Sequence, residues 1–171
     1  LLEEPVVVGS RLVVFGKTDR TGLWSVEVGP AGVSVVDAFP LDYFDALPDE
    51  PQRLRGDLLF TVGGNPAGTN RLWRTDGTVA GTGPLFPGSD AVLVHPQTYA
   101  VYRDEALAIA TDDSGRATLW ASDGTAAGTR RLKELGEGPA DYLFSLAVAG
   151  DRAYFSAADP AVGFELWGVR P

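Results

Sequence analysis

Residues Leu119 to Thr129 read Leu-Trp-Ala-Ser-Asp-Gly-Thr-Ala-Ala-Gly-Thr, and Leu72 to Thr82 read Leu-Trp-Arg-Thr-Asp-Gly-Thr-Val-Ala-Gly-Thr. A segment that returns almost whole constrains the fold more than any bulk property, because a fixed period implies one structural unit stacked on copies of itself. Two fainter echoes, Leu23-Trp24 and Glu165-Leu166-Trp167, contain the other two tryptophans. Trp73, Trp120 and Trp167 follow one another at steps of 47 residues, and Trp24 precedes Trp73 by 49. Gly9, Gly56, Arg103 and Gly150 form a second marker, also at steps of 47, each opening a short apolar run. The two markers together place the two extra residues of the second unit in the loop Gly63 to Gly68. The chain therefore divides into units of about 1–40, 41–88, 89–138 and 139–171, the last of them short.

Within a unit, apolar runs of about five residues alternate with turn residues, the pattern of short antiparallel strands. The fourth unit offers Tyr142 to Ala149, Ala153 to Ala157 and Phe164 to Trp167; Arg130 to Leu135 of the third supplies the missing fourth strand. The first offers Val6 to Val8, Arg11 to Phe15, Leu23 to Val28 and Val33 to Val36. The second has Leu58 to Val62 and Arg71 to Arg74, but its opening segment, Ala46 to Arg53, carries two prolines that delete ladder donors. Thr98 to Tyr102 opens the third. In Arg130 to Leu135 the apolar positions Leu132 and Leu135 lie three apart, which points to an outer edge strand. Only Tyr43 to Leu47 could form a turn of helix. Four short strands per 47 residues, with longer connections from each fourth strand to the next first strand, describe blades of a β-propeller. The expectation is an all-β, propeller-type domain spanning 1–171, of about four blades, the last incomplete. It either closes on itself or belongs to a larger ring completed by a second chain or further sequence. A sandwich or a solenoid is the competing all-β arrangement.

Composition narrows the function. Fourteen Lys+Arg against 23 Asp+Glu leave a formal net charge of −9, which repels phosphate backbones and disfavours nucleic acid as a partner. No stretch approaches the ~20 apolar residues of a membrane helix, so no membrane insertion is expected. There are no cysteines, hence no disulfide, thiol nucleophile or thiolate metal site. The start, Leu1-Leu2-Glu3-Glu4-Pro5, has neither the initiator Met nor the features of a signal peptide, and is read as a processed or excised end.

The two full segments, with Glu165-Leu166-Trp167 supplying a leading glutamate, resemble the bacterial ELWxxDGTxxGT repeat. The resemblance reaches most of the chain through its period, although only two of the four units carry the whole motif. It implies a secreted, periplasmic or cell-surface bacterial protein with propeller-like β domains, and it carries no catalytic residues to transfer. In physical terms Asp76-Gly77-Thr78 and Asp123-Gly124-Thr125 are turn signals: glycine accepts positive φ, and the carboxylate and hydroxyl accept or donate hydrogen bonds across the turn. Leu and Trp in succession point to opposite faces of one strand. Trp24, Trp73, Trp120 and Trp167 are therefore expected to pack between blades. A calcium site in these turns is the rival reading, but one carboxylate per loop falls short of the 6–8 oxygens the ion takes; no cofactor is expected.

Other candidates are sparse. His95 is a single loop imidazole, Asp112-Asp113-Ser114-Gly115 reads as a turn, and Glu3-Glu4 and Asp49-Glu50 read as solvated. No nucleophile elbow, zinc helix or phosphate-binding Gly-Lys pair is present. The function expected is a non-catalytic interaction or scaffold module that binds a protein or glycan through blade loops or the axial face. The alternatives are a propeller hydrolase or lyase with acids in its axial channel, and a purely structural spacer. Loops where the units differ, Gly63 to Gly68, Pro84 to Pro96 and Leu47 to Arg53, are the expected recognition elements.

Overall fold

The computed structural model describes residues 5–17, 21–29, 32–40, 51–64, 69–86, 92–93, 98–111, 116–135, 144–159 and 163–170. They form sixteen strands and no helix, every pairing of strands being antiparallel. The first blade is β1 (Val6–Val8), β2 (Arg11–Lys17), β3 (Thr21–Gly29) and β4 (Gly32–Pro40), hydrogen-bonded in that order. The second is β5 (Gln52–Leu54), β6 (Asp57–Gly64), β7 (Thr69–Thr75) and the two-residue β8 (Gly83–Pro84). A short β9 (Val92–Leu93) follows; the third blade is β10 (Tyr99–Tyr102), β11 (Glu105–Thr111), β12 (Ala117–Ser122) and β13 (Arg130–Glu134). The fourth has three strands, β14 (Phe144–Ala149), β15 (Arg152–Asp159) and β16 (Gly163–Val169). This is a propeller-type fold with an incomplete last blade.

Several sequence expectations change in detail. The hairpin between the first two strands of each blade turns on Gly9, Arg55, Arg103 and Gly150, all at φ between 54° and 63°. The marker in the second unit is thus Arg55; Gly56, at φ 126°, is the second turn residue. From that turn to the tryptophan the blades count 15, 18, 17 and 17 residues, so the irregularity is shared between a short first blade and a second blade longer by one. The proline-rich opening of the second blade yields only three strand residues, Gln52–Leu54. Gln52 compensates with its side chain: Nε2 donates to Tyr99 O (3.4 Å) and Oε1 accepts from Val101 N (3.1 Å), linking the inner strands β5 and β10. Arg53 Nη2 likewise donates to Val7 O of β1 at 2.5 Å. The spacing of Leu132 and Leu135 has a local cause: the register between β12 and β13 jumps from Leu119↔Lys133 to Trp120↔Arg131, leaving Leu132 as the extra residue of a bulge. The unforeseen β9 pairs with β11 through Leu93↔Ala110 and meets β7 at Asn70, joining the second and third blades into one sheet. Tyr43 to Leu47 lies outside the described residues.

The core consists of three layers between blades. Successive side chains of a strand point to opposite faces, so each blade has a face toward its predecessor and one toward its successor. Val8, Val13 and Phe15 of the first blade meet Leu58, Phe60, Val62 and Trp73 of the second. Leu54, Leu59, Leu72, Leu85 and Phe86 of the second meet Tyr99, Ala106, Ala108, Ala110 and Trp120 of the third. Leu107, Ile109 and Leu119 of the third meet Leu146, Ala153 and Phe155 of the fourth. In the second and third blades the leucine of the Leu-Trp pair looks forward and the tryptophan backward: Leu72 and Leu119 face the next blade, Trp73 and Trp120 the previous one. β11 shows how room is made, since its backward face is Ala106, Ala108 and Ala110, opposite the bulky Leu85 and Phe86.

Candidate functional site: the Asp-Gly-Thr turns

The repeated motif folds twice into the same hydrogen-bonded turn between the third and fourth strands. In the second blade Asp76 Oδ1 accepts from both Thr78 N (2.8 Å) and Thr78 Oγ1 (2.7 Å). Thr78 Oγ1 in turn accepts from Gly81 N at 2.9 Å, and Thr78 O accepts from Thr82 Oγ1 at 2.5 Å. Since the Thr82 hydroxyl proton is spent on that carbonyl, Thr75 is the donor in the 2.7 Å contact between Thr75 Oγ1 and Thr82 Oγ1, while it accepts from Gly77 N (3.0 Å). The third blade repeats the set: Thr125 N and Oγ1 to Asp123 Oδ1 (2.9 and 2.7 Å), Gly128 N to Thr125 Oγ1 (2.9 Å), Thr129 Oγ1 to Thr125 O (2.6 Å) and Gly124 N to Ser122 Oγ (3.0 Å). Ser122 Oγ also lies 2.8 Å from Thr129 Oγ1 and 3.2 Å from Leu85 O, so its one proton has two acceptors.

Both glycines of each motif have a physical reason. Gly77 and Gly124 sit at φ 89°, where a side chain is strained. Gly81 and Gly128 are held by space instead: a Cβ on Gly81 would lie 2.1 Å from the Asp76 carboxylate, and one on Gly128 2.0 Å from that of Asp123. The carboxylate packs flat on the backbone of the second glycine.

Each turn also rests on an arginine of the preceding blade. Arg11 Nη1 donates to Gly77 O (3.0 Å), with its Cδ against the place a Gly77 Cβ would take. Arg74 lies in the same way under Gly124, held there by a 3.0 Å pair with Asp57. Arg55 Nη1 stands 3.7 Å from Asp123 Oδ2. On the same end of the third blade Arg130 pairs with both carboxylate oxygens of Glu105, the second contact at 2.9 Å. Burial pushes the Asp76 carboxyl up, but the Thr78 hydroxyl and amide, with Arg74 behind them, outweigh it and hold Asp76 below its ordinary range. The Thr125 hydroxyl and amide, then Arg55, lower Asp123 in the same direction. Hydrogen bonding from Arg130 lowers Glu105. A carboxyl lowered on folding stabilises the fold above its ordinary titration range, and that contribution is lost as pH falls through the folded value.

The structure thus assembles Asp76, Gly77 and Thr78, and Asp123, Gly124 and Thr125, into turns at one end of the blades, while Trp73 and Trp120 lie between sheets. Trp120 is 7% exposed, packs on Phe86 at 6.0 Å between ring centroids, and has the Arg131 guanidinium 4.9 Å above its ring. Trp73 packs on Phe60 at 6.5 Å. Trp167 is 39% exposed, with Lys133 Nζ 5.9 Å from its ring. Trp24 stands opposite Val14 in the register of β2 and β3, and its side chain is outside the described residues. Four kinds of participant were not singled out from the sequence: the hydroxyls Thr75 and Ser122, the second threonines Thr82 and Thr129, the supporting arginines, and Gln52. Both motif copies do carry a hydroxyl just before the aspartate, a signal available in the sequence.

One oxygen of each aspartate already accepts two hydrogen bonds, and the hydroxyls point their protons at acceptors within the turn. Among the described residues no three His, Cys, Asp or Glu side chains come together as a metal cluster. The inner strands β1, β5, β10 and β14 contain no carboxylate. His95, Asp112 to Gly115, Glu3-Glu4, Asp49-Glu50 and residues 65–68 lie outside the described residues, as does most of the Leu47 to Arg53 segment. Among the described residues no helix is long and apolar enough to cross a membrane.

No family model matches the chain, and no curated protein matches it. Among solved structures it is similar to a puromycin hydrolase mutant crystallised with PGG, at 17% identity and a TM-score of 0.58; the match covers 99% of this chain and 27% of the hydrolase chain. The chain spans about a quarter of that protein's length, and at this identity the likeness establishes the fold alone, a propeller-type β architecture.

Proposed function

We propose that this chain is a non-catalytic interaction or scaffold module of a bacterial secreted or surface protein, binding a protein or a glycan on the face that carries the blade turns and loops. One observation carries the reading. The polar motif side chains, which are the most repeated chemistry in the sequence, are satisfied within their own turns or against the neighbouring blade, and so hold the scaffold rather than face a substrate. The inner strands, where a channel-based hydrolase or lyase would place its acids, supply none of the carboxylates such chemistry uses. What differs from unit to unit is the loops, and recognition is assigned there. The origin and location rest on the ELWxxDGTxxGT resemblance.

The test is a binding screen of the purified chain against bacterial-surface glycans and extracellular proteins, run beside turnover assays with peptide arylamides and aryl glycosides. Saturable binding without turnover is the expected result. Turnover that saturates with substrate would replace this reading with the hydrolase alternative, and a chain that binds nothing would leave the spacer reading.

A further inference from the structure

We infer that the inner hairpins of the second, third and fourth blades bind an anionic glycan, one whose sugars carry carboxylate or sulfate groups, through the guanidinium groups of Arg53, Arg103 and Arg152. The inference rests on the interaction module proposed above and names the ligand class of its turn-bearing face.

The three arginines share one end of the fold. The hairpins between first and second strands reach the same end as the Asp-Gly-Thr turns: Arg11, just past the Gly9 hairpin, meets Gly77, and Arg55 of the next hairpin meets Asp123. Gln52 ties β5 to β10, and β14 packs against β10, so the hairpins of the second, third and fourth blades stand side by side along the inner rim. Arg53 lies on β5, Arg103 is the left-handed residue between β10 and β11, and Arg152 opens β15. All three are exposed.

Charge pairing at this end is uneven. Asp57 pairs with Arg74, Glu105 with Arg130 and Asp151 with Arg170, while Asp123 takes its own turn and Arg55. Asp76 is closed on Thr78. Arg53, Arg103 and Arg152 pair with no carboxylate; Arg53 spends one donor on Val7 O, and Arg103 stands 5.0 Å over the Tyr102 ring. Against them only Asp104, exposed beside Arg103, has no such partner among the described residues of this end. In a chain with 14 Lys+Arg against 23 Asp+Glu, arginines left over at one place form a local positive field on an acidic molecule. Guanidinium is the donor that matches the paired oxygens of a carboxylate or sulfate.

The rest of the rim selects a glycan. An extended acidic peptide gains its hold at a sheet edge from main-chain bonds, and here those groups are taken: Val7 O by Arg53, Tyr99 O and Val101 N by Gln52. What remains beside the guanidinium groups is apolar and aromatic surface, Val7 at 54% exposure and the half-buried Tyr102. Such surface takes the C–H faces of sugar rings while the arginines take their acid groups. A nucleic acid long enough to pass beyond the rim meets the repulsion of a chain carrying −9 overall.

Isothermal titration of the whole chain tests this with four probes: oligogalacturonate, its neutral methyl ester, a sulfated dextran oligomer and oligoglutamate. Binding of oligogalacturonate or of the sulfated oligomer, weakened by added salt and absent with the methyl ester, is expected, and the two arms separate carboxylate from sulfate. Arg103→Asn, which keeps a residue tolerant of the left-handed conformation, should weaken that binding about tenfold with an unchanged melting temperature. Arg152→Gln should do the same. Arg71→Gln, which removes an equal charge from the middle of β7, should leave binding as it was. Equal binding of the methyl ester, tighter binding of oligoglutamate, or an Arg71→Gln loss as large as that of Arg103→Asn would overturn the inference. Failure of both anionic glycans would also overturn it, and the proposed function would still stand if the wider screen finds another ligand.

Discussion

The second and third blades carry the Asp-Gly-Thr turn and the first does not, and the contrast shows what the motif is for. In the first blade β3 and β4 are nine residues each and are joined directly, Gly29 pairing with Gly32. In the second and third blades the third strand ends at Thr75 or Ser122 and the chain makes a longer excursion, closed by Thr82 or Thr129, before the fourth strand starts. That excursion reaches the arginine of the preceding blade, Arg11 in one case and Arg74 and Arg55 in the other. The motif is a device for joining blades, and its conformity in two units reflects one geometry needed twice.

The comparison can be broken most forcefully at the tryptophans. Trp120→Ala should cost about 3–5 kcal/mol, because it empties a layer between two blades, whereas Trp167→Ala, at a half-open position, should cost about 1 kcal/mol or less; urea denaturation of the two variants measures the difference. Next is the small-residue seat of the carboxylate. Gly128→Ala drives a methyl into Asp123 and should cost roughly 1–3 kcal/mol, while Gly83→Ala, where an added Cβ meets nothing within 4 Å, should cost well under that.

A smaller effect concerns the lowered carboxyls. Stability should fall as pH drops below about 4, where Asp76 and Asp123 begin to take up protons in the unfolded chain but not yet in the folded one. Replacing both by Asn should flatten that acid limb in a thermal-melt series, and an unchanged limb would assign it to other groups. The smallest effects are expected at Arg55 and with calcium. Arg55→Gly relieves a positive φ at the hairpin, worth about 1 kcal/mol, and gives up an exposed pair with Asp123 that works in the opposite direction, so the net change should stay under about 1 kcal/mol. Millimolar Ca²⁺ or a chelator should leave the melting temperature where it is; a rise of several degrees would place an ion at the turns after all.

Much of this was legible in the chain, for identifiable reasons. The period survives because each blade must meet its neighbours with the same two faces, and the Leu-Trp pair records that alternation directly. The fourth-strand irregularity at Leu132 was visible as a broken alternation, though not as a bulge, since a bulge is defined by the partner strand. The hairpin marker misled by one residue in the second unit because Gly56 follows Arg55, and a glycine attracts the assignment even when arginine holds the left-handed position. Gln52 was invisible, because a side chain that substitutes for a ladder bond matters only once β5 and β10 are side by side. The arginines under the turns were hidden for the same reason: Arg11 and Arg74 occupy different strands and different places in the period, and only the packing of blades brings them to equivalent turns.

The central claim is that the repeated tryptophans face backward into the joints between blades. It is tested most directly by acrylamide quenching of variants that retain a single tryptophan, the other three replaced by Phe. The account predicts that Trp120 is strongly protected and blue-shifted while Trp167 is quenched readily. Equal quenching of the two, with Trp120 as open to solvent as Trp167, would contradict it.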